Sequence, residues 1–128
     1  MRFAQIVFGV AAIYGIAMLP PLYFLIDAIG RANPPAINHP EFYYGFVGVA
    51  ILWQLVFILI ARDPARMRPL MPIAILEKFI YTVPVAILFL HGKASLNTLI
   101  PSLGDPIFGV LFIASWFKTA DRRRTRDI

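Results

Sequence analysis
Residues 62–81 read RDPARMRPLMPIAILEKFIY, a basic turn punctuated by prolines that runs straight into an apolar helix carrying an acid and a base side by side. Asp63 before Pro64 offers an N-cap acceptor and a proline at the first helical position, so 64–68 is expected to form one interfacial helical turn. Arg62, Arg66 and Arg68 are then placed to face phosphate headgroups. The apolar run that follows, 72–90, is of a length that crosses a hydrocarbon layer of about 30 Å at about 1.5 Å per residue. The turn is therefore read as the link between two membrane spans.

The whole chain agrees with that reading. Of its 128 residues 59% are hydrophobic and only 15% are charged, where a soluble domain has about a quarter charged. The formal charge is +5, but Lys and Arg gather at segment ends and not on one folded face, which argues for topology and against nucleic acid. Cysteine is absent, which removes disulfides, thiol catalysis and Cys-type metal sites. Four spans are expected, at about 3–29, 41–61, 72–90 and 96–117, with a basic tail at 118–128. The fold class is an all-α integral membrane four-helix up-down bundle, one transmembrane domain with both termini on the inner side. The first apolar run exceeds a signal-peptide core of about 7 to 15 residues, so it is read as a retained span.

Prolines divide the first and last spans. Pro20 and Pro21 remove two backbone donors, so a kink is expected there, with 22–29 as a short outer continuation. Ala11 and Gly15 form a small-xxx-small pair that lets another helix approach. In the last span Pro101, Gly104, Asp105 and Pro106 interrupt the run. Either 96–103 lies as a short helix at the outer surface, or the span is a broken helix whose break carries Asp105. The first reading is preferred, because Asp-Pro more commonly opens a helix.

Counting cations orients the bundle. Arg2, Arg62, Arg66, Arg68, Lys78, Lys118, Arg122, Arg123, Arg124 and Arg126 fall on one side and only Arg31 and Lys93 on the other, so the first side is expected to be cytoplasmic. Arg122, Arg123, Arg124 and Arg126, with the three arginines of the turn, are expected to contact anionic lipid headgroups.

Glu77, beside Lys78, is the chain's most costly residue to place in lipid. Neighbours on a helix point about 100° apart, so Lys78 is expected to snorkel to the inner interface while Glu77 takes a donor from Arg2, Arg62, Lys118 or a tyrosine, or a proton. Glu77, Tyr81, Pro84 and Leu88 share one face, expected to meet protein. Gln54, near the middle of the second span, also needs an internal partner. Asp27, His39, Glu41, His91 and Asp105 are all assigned to the outer side. Their spacing matches no metal motif, so no metal and no cofactor is expected, and no catalytic residue is assigned.

The run 42–50, the inner turn and the tetrapeptide Leu76-Glu77-Lys78-Phe79 resemble small four-span bacterial membrane proteins of DoxX-like size and layout. The resemblance implies a bacterial inner membrane and carries over no functional residue. Three functions are then weighed. The first is a non-enzymatic accessory subunit or hydrophobic-ligand-binding bundle, associating with itself or with a larger membrane complex. The second is a homo-oligomeric proton-coupled transporter or channel using Glu77. The third is a membrane enzyme acting on lipid or quinone at the outer interface.

Overall fold
A computed structural model describes residues 1–126, with side chains through Ala120. The described residues form helices joined by short loops, with no strand among them. Four helical runs, Arg2–Phe24, Pro40–Arg62, Arg68–Leu90 and Leu96–Ala120, are long and apolar enough to cross a membrane. Helix α1 (Arg2–Met18) leads through a 3-10 turn (Pro20–Phe24) into the short α2 (Ile26–Ala32). The expected outer continuation at 22–29 therefore begins as 3-10 and turns α-helical only from Ile26. Helix α3 (Pro40–Arg62) starts with proline at its first position, and a 3-10 turn (Arg68–Leu90's first three residues, Arg68–Leu70) precedes α4 (Met71–Ile80) and α5 (Thr82–Leu90). The last run divides into α6 (Leu96–Ser102) and α7 (Gly104–Arg126).

Each interruption has a local cause. Pro84 cannot donate to the Ile80 carbonyl four residues back, and the helix breaks at Tyr81. Pro106 likewise cannot donate to Ser102, and the break falls at Leu103. The orphaned Ser102 carbonyl accepts instead from Thr82 Oγ1, at 2.8 Å and buried. That cross-helix bond ties the two interrupted runs together where lipid offers no substitute donor. The residues 96–103 are thus anchored on α5, and Asp105 enters the first turn of a 23-residue helix. The last run thus comprises a separate short helix, Leu96–Ser102, followed by a long one that opens on the Asp-Pro pair. The inner turn is capped as its sequence implies: the Arg66 N–H donates to Asp63 Oδ1 at 3.3 Å.

The core is built where α1 meets α3 and α7. Ala4, Val7, Phe8, Ala11, Ala12 and Gly15 are the buried face of α1, a spacing that follows the helical period. Phe8 stacks on Phe112 with centroids 4.0 Å apart, and Phe57 meets Phe112 edge-on at 5.1 Å. Small residues set the approach of the helices. A Cβ on Gly15 would collide with the Gln54 side chain, which occupies the notch predicted at Ala11 and Gly15.

Gly109 does the same for α4 and α7. A Cβ there would lie 2.6 Å from the Phe79 ring and 3.3 Å from the Lys78 Cβ. Gly109→Val is therefore expected to push these helices apart at a cost of about 1–3 kcal/mol, read as a lower midpoint in SDS-driven unfolding from mixed micelles. An unchanged midpoint would show that α4 and α7 do not pack this closely.

At one end of the bundle the chain start, the inner turn and α7 are drawn together. Lys118 Nζ lies 4.0 Å from the Phe3 ring centroid, and the Arg68 guanidinium lies 3.4 Å from that of Trp116. Arg68 also donates from Nη2 to the Trp116 carbonyl at 3.0 Å and from Nε to Thr119 Oγ1 at 3.1 Å. A planar guanidinium can stack and donate at once, which explains its capture by an indole and a helical carbonyl. Arg68 is half-buried in this latch, whereas Arg62 and Arg66 are exposed.

Candidate functional site
The buried face of the third run is Met71, Ala74, Lys78, Thr82 and Val85. Those positions recur every three or four residues, so they form one stripe through the break at Tyr81. Lys78 lies ten residues beyond Arg68 and twelve before Leu90, close to the middle of its run. Its side chain is only 6% exposed. The expected face of Glu77, Tyr81, Pro84 and Leu88 is instead the outer one: Tyr81, Pro84 and Leu88 are exposed and Glu77 is intermediate.

Lys78 does not snorkel. Its Nζ is 3.7 Å from Glu77 Oε2 and 3.5 Å from Asp105 Oδ1. Two corrections follow. The cation for Glu77 is its own neighbour, reached because four methylenes let the ammonium swing across the 100° between adjacent residues, and none of Arg2, Arg62 or Lys118 serves. Asp105 leaves the outer cluster and joins the interior, because the break at Leu103 starts α7 deep enough to face Lys78. Rings complete the enclosure, with Nζ 4.9 Å from the Phe57 centroid and 5.7 Å from that of Phe108, both within cation–π range. The Glu77 Oε2 atom is buried without a hydrogen-bond donor.

Gln54 is buried, as its central position requires, but it donates to the Ala50 carbonyl of its own helix at 2.9 Å, and its Oε1 has no partner. Beside the triad, Trp53 of α3 and Ile73, Leu76, Glu77 and Ile80 of α4 line a lateral groove of about 220 Å³. The groove marks the seam where α3 and α4 touch only sparsely, whereas α1 packs closely on α3 and on α7, and α4 on α7.

The residues assigned from the sequence to the outer side are not brought together. His39 Nδ1 is 3.2 Å from Glu41 Oε1, with both side chains more than half exposed. Asp27 and His91 make no hydrogen bond or ion pair with them, and among the described residues no group of three or more metal-ligating side chains forms. The loops carrying Asn33 and Ser95 are joined instead by neutral groups: Ser95 Oγ donates to Asn33 Oδ1 at 2.7 Å and Thr98 Oγ1 to the same atom at 3.3 Å. The side chains of Arg122, Arg123, Arg124 and Arg126 lie outside the described residues. Thr82, Ser102, Phe57 and Phe108 escaped the reading of the sequence; the signal for Thr82 was its place four residues beyond Lys78, on the face shared with the small residue Ala74. Comparison with known protein families, with curated proteins and with solved structures found no match for the chain.

Proposed function
We propose that this is a non-enzymatic integral membrane protein that holds an apolar chain, from a lipid or other small hydrophobic ligand, in the open seam between its second and third spans. The groove at Trp53, Ile73, Leu76 and Ile80 carries the proposal. Three sides of the bundle are closed by α1 and α7, while this side is not. At about 220 Å³ the groove is below the ordinary ligand-pocket range of about 300–1,000 Å³, which suits a length of acyl chain and not a compact molecule.

The proposal includes the up-down course, a bacterial inner membrane, cytoplasmic termini, the DoxX-like layout and association with further copies or a larger complex. The gathering of Arg2, the arginine turn and Lys118 toward one end supports that orientation, since cytoplasmic ends carry the excess of Lys and Arg. Exposed Arg62 and Arg66 would each contribute about 1 kcal/mol toward anionic headgroups. The separation of His91 and Asp27 from the His39–Glu41 pair offers no support to catalysis at the outer interface.

Filling the groove tests the proposal. Protein gently extracted from membranes is expected to retain lipid in native mass spectrometry, and Leu76→Trp is expected to reduce the retained fraction on the order of tenfold, the effect of about 1.4 kcal/mol. A wild-type protein carrying no lipid or apolar ligand, or a variant that retains as much as wild type, would overturn it.

A further inference from the structure
Two carboxylates face one ammonium in the interior of the third and fourth runs, which leaves one negative charge without a partner when all three groups are ionised. We propose that Glu77, Lys78 and Asp105 form a proton-binding site, in which one proton is held by the two carboxyl groups against the single positive charge of Lys78. The inference asks nothing of the groove's occupant. It also supplies what a proton-coupled reading of Glu77 would require.

The reasoning begins with burial. Side-chain exposures are 6% for Lys78, 18% for Glu77 and 31% for Asp105, and the rings of Phe57 and Phe108 cover the ammonium. An isolated charge at the centre of a membrane helix is costly, and the usual escape for a buried carboxylate is to take up a proton. With one proton bound, the cluster comprises an ammonium, a carboxylate and a carboxylic acid, and is neutral. Release of that proton to water at either end returns the cluster to a single negative charge.

A second observation points the same way. Glu77 Oε2 is buried and accepts no hydrogen bond. A carboxylic O–H within the pair is a donor of the kind this atom lacks, and Lys78 Nζ, at 3.7 Å, stands beyond hydrogen-bond distance. A metal cation suits the site less well, because the Lys78 ammonium already occupies the position near both carboxylates and would repel a second positive charge. The remaining groups are few. Tyr81 closes α4 within electrostatic range of Asp105, α1 presents the Tyr14 hydroxyl near Gly104, and α3 presents the neutral Trp53, beside Glu77 in the groove, and the Phe57 ring.

The test is infrared spectroscopy of the protein in lipid vesicles, in the carboxylic C=O region, with exchange into heavy water. Wild type at neutral pH is expected to show one protonated carboxyl. Glu77→Gln and Asp105→Asn are each expected to abolish it, because either variant leaves a balanced pair that needs no proton. Lys78→Met is expected to raise the signal, since both acids must then be neutral. Absence of a protonated carboxyl in wild type would overturn the proposal without any variant. So would a signal that survives both single substitutions, or one that grows only when sodium is replaced by choline at constant pH, which would assign the site to a metal cation.

Discussion
Lys78→Met is expected to destabilise the folded bundle by about 3–5 kcal/mol, the cost of removing one partner from a buried ion cluster. Methionine keeps most of the stem's bulk against Phe57 and Phe108, so the loss reports charge more than volume. The measurement is reversible unfolding by SDS in mixed micelles. Adding Glu77→Gln and Asp105→Asn to the same chain is expected to recover most of the loss, because neutral groups of similar shape often replace a buried ion cluster with little penalty. A cost for Lys78→Met below about 1 kcal/mol, typical of a solvent-exposed pair, would mean that the ammonium reaches solvent.

The second large effect is expected at Phe112. Its ring is fully buried, stacked on Phe8 and edge-on to Phe57, so it joins α1, α3 and α7 at one point. Between helices in lipid the loss is one of packing and not of transfer from water. Phe112→Ala opens a void on the order of 100 Å³, and at about 24 cal/mol per Å³ this destabilises the bundle by about 2.4 kcal/mol. Phe112→Leu, which retains most of the volume, is expected to cost about 1.5 kcal/mol or less. Equal effects of the two substitutions would place Phe112 at a lipid-facing surface.

The four apolar runs were legible because their signal is composition over about twenty residues, and few alternatives accommodate so long an uncharged stretch. The breaks were legible in part. Pro20 with Pro21, and Pro101 with Pro106, announced an interruption, but not that Thr82 would supply the donor missing at Ser102. That bond joins residues twenty apart, and nothing local encodes it. Lys78 was misplaced for a related reason. Snorkelling is the default for a lysine near a span's end, and only the docking of α7 through Gly109 brings Asp105 close enough to hold the ammonium inside. The same contact removed Asp105 from the outer group, where counting along the chain had put it. Arg68 was read from its charge alone, whereas its planar shape decided its fate against Trp116.

The central claim is that Lys78 and Asp105, on different helices, meet in the interior. A double-mutant cycle with Lys78→Met, Asp105→Asn and the combined variant, followed by SDS-driven unfolding, tests it most directly. The predicted result is a double variant less destabilised than the two single effects together, with a coupling of about 0.5–3 kcal/mol. Effects that add to within about 0.3–0.5 kcal/mol would mean that the two residues do not interact, and would contradict the account.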